Sequence, residues 1–201
     1  MNEEIELLKD EAKNLTKEIE LLNDMIINIQ RFENSSILKY KDIDKKRTIV
    51  NWLRQKVNKH NISYKLIFKM SEQGSEARDF HKYCDNEGPT ISLFLTNNNQ
   101  IFGGFTPLSW TSSNEPVFDP SDFTFLFYLN IKKKYDMLSK ESIAVITDER
   151  FGPYFGYDLG LGKNLKVLRF DQNINNFFFY EDLKLNGDIG HRGEFEVFKV
   201  I

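Results

Sequence analysis

The sequence predicts an α+β fold: an antiparallel β-sandwich with flanking helices, preceded by an N-terminal coiled-coil helix. Three observations predict it. A seven-residue apolar repeat occupies residues 1–33. The apolar period changes to two from Ser63. From Thr90 onward, strand-like segments follow one another without alternating helices, which is the pattern of antiparallel rather than parallel sheets. The 201 residues, 40% hydrophobic and 28% charged, suffice for one packed domain and an appendage.

The repeat is built from Ile5, Leu8, Ala12, Leu15, Ile19, Leu22, Ile26 and Ile29, spaced alternately by three and four. Ile5, Ala12, Ile19 and Ile26 fall at a, and Leu8, Leu15, Leu22 and Ile29 at d. No Pro or Gly interrupts residues 1–33. Mostly Ile at a and Leu at d favours a parallel dimer. Glu4 at g can face Lys9 at the following e of the neighbouring helix. Residues 1–33 are thus expected to be an oligomerisation helix that pairs with a second copy of the chain. The alternatives are a helix packed on its own domain, or a higher oligomer, since Leu7, Leu21, Met25 and Ile27 widen the apolar surface.

Asn34-Ser-Ser36 breaks the repeat and reads as a hinge, so a second unit is expected over 37–201. Residues 42–58 fit a helix with Ile43, Val50, Leu53 and Val57 on one stripe and Trp52 beside it. Tyr64, Leu66, Phe68 and Met70 alternate with Lys65, Ile67 and Lys69 as on a half-buried strand. Gly74-Ser75 opens a short helix with Ser75 as the expected N-cap. Ala77, Phe80 and Cys84 share one face of it, and Gly88-Pro89 ends it. Thr90–Thr96 and Gln100–Thr106 flank the turn Asn97-Asn98-Asn99, a hairpin pattern. Further strands are expected over Phe123–Leu129, Ser142–Thr147, Lys166–Phe170, Phe177–Tyr180 and Glu194–Ile201.

Groups that carry chemistry are sparse. No apolar stretch approaches the roughly 20 residues needed to span a bilayer, and Met1-Asn-Glu-Glu4 lacks the layout of a signal peptide. Cys84 is the one cysteine, so no intrachain disulfide forms, which fits a reducing cytosolic or nuclear compartment. His81 and Cys84 are three apart on one helix, but His60 and His191 stand alone, so no closed metal site is expected. The spacing reads Cys84 as a core residue, with a redox sensor and a nucleophile as alternatives. Gly103-Gly104 and Gly152/Gly156 lack the Lys-Ser/Thr of a phosphate loop and read as structural. Glu194 and Glu196 share a strand face with Phe198 and Val200. A structural role is expected for them over acid–base work. No catalytic residue, cofactor or metal is expected.

Charge is uneven. Residues 39–59 hold eight cations against Asp42 and Asp44, in a chain of net charge −3. Within that segment, Lys45, Lys46, Arg47 and Arg54 lie off the apolar stripe and are the candidate contacts for nucleic acid or an acidic partner. A basic helix beside a dimerising coil is one way to straddle a duplex. The plain alternative is a solvated helix surface.

Ala77-Arg-Asp-Phe-His-Lys-Tyr-Cys-Asp-Asn-Glu-Gly-Pro-Thr90, followed by Ile101-Phe-Gly-Gly-Phe105 and Ser109-Trp110, resembles the signature of the TLDc domain of oxidation-resistance proteins. Ser36-Ile-Leu38, Trp52-Leu53, Tyr64–Met70, Phe123–Leu129, Gly152-Pro-Tyr-Phe-Gly156 with Asp158-Leu159, and Glu194–Phe198 extend the resemblance in order across 37–201. It implies a β-sandwich flanked by helices, a link to oxidative stress, and no established catalysis. Several members bind the vacuolar proton-pumping ATPase. The chain departs from the family at Lys132-Lys-Lys134 and Asp148-Glu-Arg150, where loops are lengthened or recharged. The expected function is a non-enzymatic stress-response interaction protein that binds a protein partner such as proton-pump subunits, in the cytoplasm or nucleus. The alternative is a dimeric nucleic-acid-binding regulator using the basic segment.

Overall fold

A computed structural model of the chain describes residues 2–30, 32–39, 41–57, 62–166, 168–169, 189–190 and 192–201. Helix α1 spans Asn2–Gln30 and α2 spans Ile43–Val57. Strand β1 (Tyr64–Lys69) runs into a single-turn helix α3 (Met70–Gln73), followed by α4 (Ala77–Cys84). β2 (Thr90–Leu95) and β3 (Ile101–Thr106) form the expected hairpin around Asn97–Asn99. Then come β4 (Glu115–Phe118), β5 (Phe125–Tyr128), β6 (Lys133–Asp136) and β7 (Ile143–Thr147). The short β8 (Tyr154–Phe155), β9 (Leu159–Leu161) and β10 (Leu168–Arg169) precede the long last strand β11 (Glu194–Val200).

These strands make two wholly antiparallel sheets. The larger has the order β1-β11-β2-β3-β5-β6, the smaller β10-β9-β8-β7-β4. One core lies between them. Phe94, Phe102, Phe195 and Val197 from the large sheet meet Val145, Phe155, Leu159 and Leu161 from the small one, with Phe80 and Cys84 delivered by α4. The second core covers the outer face of the large sheet. Ile49, Val50 and Leu53 of α2, with Phe32, Ile37 and Leu38, pack on Ile91, Leu93, Phe105, Phe125, Phe127 and Phe198. The result is three layers: α2, large sheet, small sheet. The large sheet is apolar on both faces, so β2 and β3 are buried along nearly their whole length.

Four expectations need correction. First, the stripe Tyr64/Leu66/Phe68/Met70 does not stay on one face. Leu66 pairs with Phe198 but Phe68 with Val197, leaving Ile67 as an extra residue. That bulge turns Tyr64 and Leu66 toward α2, and Phe68 and Met70 toward the inter-sheet core. Second, the N-cap of α4 is Glu76, not Ser75, in a reciprocal capping box with Asp79. Three residues on from Ser75 stands Arg78, which cannot accept the returning bond, whereas Asp79 can. Third, the strand expected from Phe123 begins at Phe125. The buried Asp119 carboxylate accepts the amides of Phe123 and Thr124 and both the hydroxyl and amide of Ser121, fixing those residues as a turn.

Fourth, residues 34–36 are a docked joint rather than a hinge. Phe32 and Asn34 adopt left-handed backbone conformations, with φ of 58° and 67°. The Phe32 ring is buried, stacked on Tyr64 at 4.4 Å and edge-on to Phe198 at 5.1 Å. Ser35 Oγ donates to Glu196 Oε2 at 2.5 Å, and the Ser36 amide donates to Oε1 at 2.6 Å. The joint is therefore tied to both β1 and β11. The strand expected over Phe177–Tyr180 lies outside the described residues, as does Phe170 at the end of the Lys166–Phe170 expectation.

Candidate functional site

The apolar seam of α1 faces solvent. Ile5 is 46% exposed, Leu8 63%, Leu15 58% and Leu22 52%, with Ala12 and Ile19 exposed alongside them. Over residues 5–22 the stripe does not pack on the chain's own domain. The side chains of Ile26 and Ile29 lie outside the described residues. Lys9, expected to face Glu4 of a neighbouring helix, pairs with Glu6 one turn earlier on its own helix at 2.7 Å.

The basic candidates on α2 do not form a common free stripe. Lys45 Nζ is 3.1 Å from Asp42, and Arg47 is 3.4 Å from Asp44. Lys46 is buried, and that burial lowers its pKa despite the opposing pull of Asp42. Arg54 is half-buried. Lys56 reaches across to Asp136 at 3.1 Å and to the Asp122 carbonyl at 2.7 Å. The structure adds a neighbour that the sequence left apart. Lys132, at the tip of the β5–β6 hairpin, lies 3.9 Å from Asp44.

The His81/Cys84 helix closes on itself. Cys84 is fully buried, and desolvation raises its thiol well above the ordinary range, so the nucleophilic thiolate is suppressed. His81 Nδ1 contacts Asp85 Oδ1 at 2.7 Å. Its Nε2 meets the carbonyls of Asp148 and Phe151 at 3.1 and 2.9 Å. Ser112 Oγ donates to the other Asp85 oxygen at 2.8 Å. The chain of contacts runs Ser–Asp–His. Nucleophilic catalysis needs the imidazole in the middle, where it can take the hydroxyl proton. This network instead clamps the 148–151 loop onto α4. Arg150 completes that loop with a forked contact to Asp148, holding its carboxyl below the usual range.

The glycines are packing features. A Cβ on Gly104 would lie 2.6 Å from the Phe155 ring, and one on Gly103 would collide with the Phe127 ring and the Ser92 carbonyl. Glu196 is completely buried under the joint, and desolvation raises its pKa against the bonds from Ser35 and Ser36. Glu194 accepts the amides of Ser71 and Phe195 at 3.1 and 3.0 Å. Both carboxylates are thus occupied by neighbouring segments. Among the described residues no group of three or more His, Cys, Asp or Glu is placed to hold a metal ion, and no helix is long and apolar enough to cross a membrane.

Sequence reasoning missed the Asp119 hub and the Glu196 joint. Asp119-Pro-Ser-Asp122 before an apolar run is a turn signal that would have found the first. Nothing local to Ser35 announces a partner 161 residues away.

A search of curated proteins returns no match. The model of the TLDc domain matches residues 31–192, from the docked joint to the threshold of the last strand. It takes in both sheets up to β11, α2, α4 and the Gly103-Gly104 strand. On that match the chain belongs to the TLDc domain family.

Proposed function

We propose that this chain is a non-enzymatic interaction protein of stress physiology. In this reading the TLDc domain binds a protein partner, of which subunits of the proton-pumping ATPase are the first to test, and the seam of α1 pairs with a second copy in parallel. The observation that carries the reading is the contrast within one chain. The thiol, imidazole and carboxylates that could do chemistry are buried or engaged, while an apolar helical seam stands in solvent. An exposed stripe of this size is what an association surface looks like. The one cysteine, reduced and buried, suits the cytoplasm or nucleus. The nucleic-acid alternative through Lys45, Lys46, Arg47 and Arg54 has weaker support, because a phosphate contact needs free cations and Lys46 is not exposed. Affinity capture with the full chain, with and without nuclease, tests the proposal. Nuclease-resistant recovery of proton-pump subunits supports it. Recovery of chromatin proteins that nuclease abolishes would replace it with the alternative.

A further inference from the structure

Two basic runs far apart in sequence meet on one face. Lys39, Lys41, Lys45 and Arg47 surround the first turn of α2, and Lys132 and Lys134 lie on the same side of the β5–β6 hairpin, whereas Lys133, opposite Tyr128 and over the Tyr135 ring, points to the other side of the sheet. The 3.9 Å contact of Lys132 with Asp44 joins them at one end, and the 3.1 Å contact of Lys56 with Asp136 ties β6 to the other end of the helix. Against these six cations stand Asp42, Asp44 and Asp136, a surplus of three in a chain whose net charge is −3. The rest of the molecule therefore carries −6, so the charge is polarised. At the hairpin tip Ile131 projects with 52% of its surface exposed, directly before Lys132.

We propose that this face docks on an anionic lipid surface. Clusters of four to eight cations bind acidic headgroups by summed electrostatics, at about 1 kcal/mol per side chain near the surface. An aliphatic tip among lysines enters the boundary between headgroups and acyl chains while the ammonium groups stay with the phosphates. The chemistry of the face favours lipid over nucleic acid. Nucleic-acid recognition draws on guanidinium forks and on aromatic faces for stacking. Here Arg47 is turned to Asp44, and Trp52 is packed on Phe125 and Phe127. Lysine, an unspecific point charge, dominates. The proposal is independent of any protein partner of the TLDc domain.

The test is co-sedimentation of the full chain with phosphatidylcholine vesicles containing about a quarter phosphatidylserine, and with pure phosphatidylcholine. Binding is expected to the first only, and to weaken as salt rises past about 0.15 M, where the Debye length is ~8 Å. Lys132→Glu with Lys134→Glu should weaken it about thirty-fold, at roughly five-fold per lysine removed. Lys39→Glu with Lys41→Glu should do the same from the other run, and provides a second arm if the hairpin variant folds poorly. Ile131→Asp should add a further loss at constant lysine content. Equal binding to both vesicles, or affinity unmoved by reversals in either run, would overturn the proposal. So would tighter binding to duplex DNA than to the acidic vesicles at the same salt, which would assign the face to nucleic acid.

Discussion

Gly104→Ala isolates what the Gly103-Gly104 pair is for. Gly104 sits in β3, between β2 and β5, with its open side toward the small sheet. Phe155 of β8 lies over that gap, and Trp110 meets the same ring edge-on at 5.5 Å. A methyl on Gly104 would stand 2.6 Å from Cε1 and Cζ of Phe155, against the 3.5–4.0 Å of comfortable carbon contacts. About 1 Å must be found. The strand cannot yield, because it is hydrogen-bonded on both sides, so the ring must move into Trp110. Overpacking of a closed core costs about 1–3 kcal/mol, and the lack of a free neighbour puts this site near the top of that range. Phe155→Leu makes room at its own cost. Combined with Gly104→Ala, the loss should fall short of the sum of the singles by about 1–2 kcal/mol. Urea unfolding of the four proteins, at constant m value, measures the cycle. A Gly104→Ala loss below about 0.5 kcal/mol, or strict additivity with Phe155→Leu, would refute the packing account and reopen a role for the bare backbone.

Other expectations follow from the same structure. Leu15→Asp with Ile19→Asp should leave a folded monomer by light scattering, since the two cores of the sandwich do not involve those residues; an already monomeric wild type would remove the basis of the dimer. Cys84 should label with thiol reagents no faster than the protein opens, and Cys84→Ala should cost about 1–2 kcal/mol, as a small buried truncation does; rapid native labelling would point to a redox role. Ser35→Ala takes from the buried Glu196 one of its two donors and should cost about 1–3 kcal/mol in thermal or urea unfolding, whereas Ser36→Ala, which keeps its amide, should cost little. Burial raises the Glu196 pKa, so its protonated form is the one the fold favours. Its contribution is fully present below the unfolded value of about 4.3 and is lost as pH rises through the raised folded value. Glu196→Gln should therefore flatten the stability profile on that side; an unchanged slope would mean that burial does not govern this carboxyl.

Elements whose pattern comes from one dominant force were legible. Helices α1 and α2 and strands β2, β3 and β11 follow from apolar periodicity, and the structure has all of them. But α2 buries Ile49 with Val50 and Leu53, while Ile43 of the expected stripe is only partly buried and the Val57 side chain lies outside the described residues. What was hidden follows from pairings between distant segments. β4 carries Pro116 and β6 begins Lys133-Lys134, both on sheet edges where outward side chains face water, so neither shows the alternation of a half-buried strand. β8 and β9 are two and three residues long and depend on their sheet neighbours for their extended form, β8 on β7 and β9 on β8 and β10. The bulge at Ile67 was unreadable because Leu66, Ile67 and Phe68 are all apolar, and only the partner register on β11 decides which of them is extra. At the candidate sites, burial was the missing quantity. Lys46 and Arg47 are adjacent and both basic, yet only Arg47 reaches solvent.

The docked joint also decides where the folded unit begins. Phe32 fills a slot between Tyr64 and Phe198, and Ser35 and Ser36 supply both donors to a carboxylate with no access to water. A chain cut to start at Ile37 would keep every strand yet expose an empty ring-sized gap and strand the Glu196 carboxylate without the partners that make its burial tolerable. The last turn before the sandwich is thus a structural plug for β11. Proteolysis between Gln30 and Phe32 should release a stable domain, while a cut a few residues later should release one that opens from its C-terminal strand.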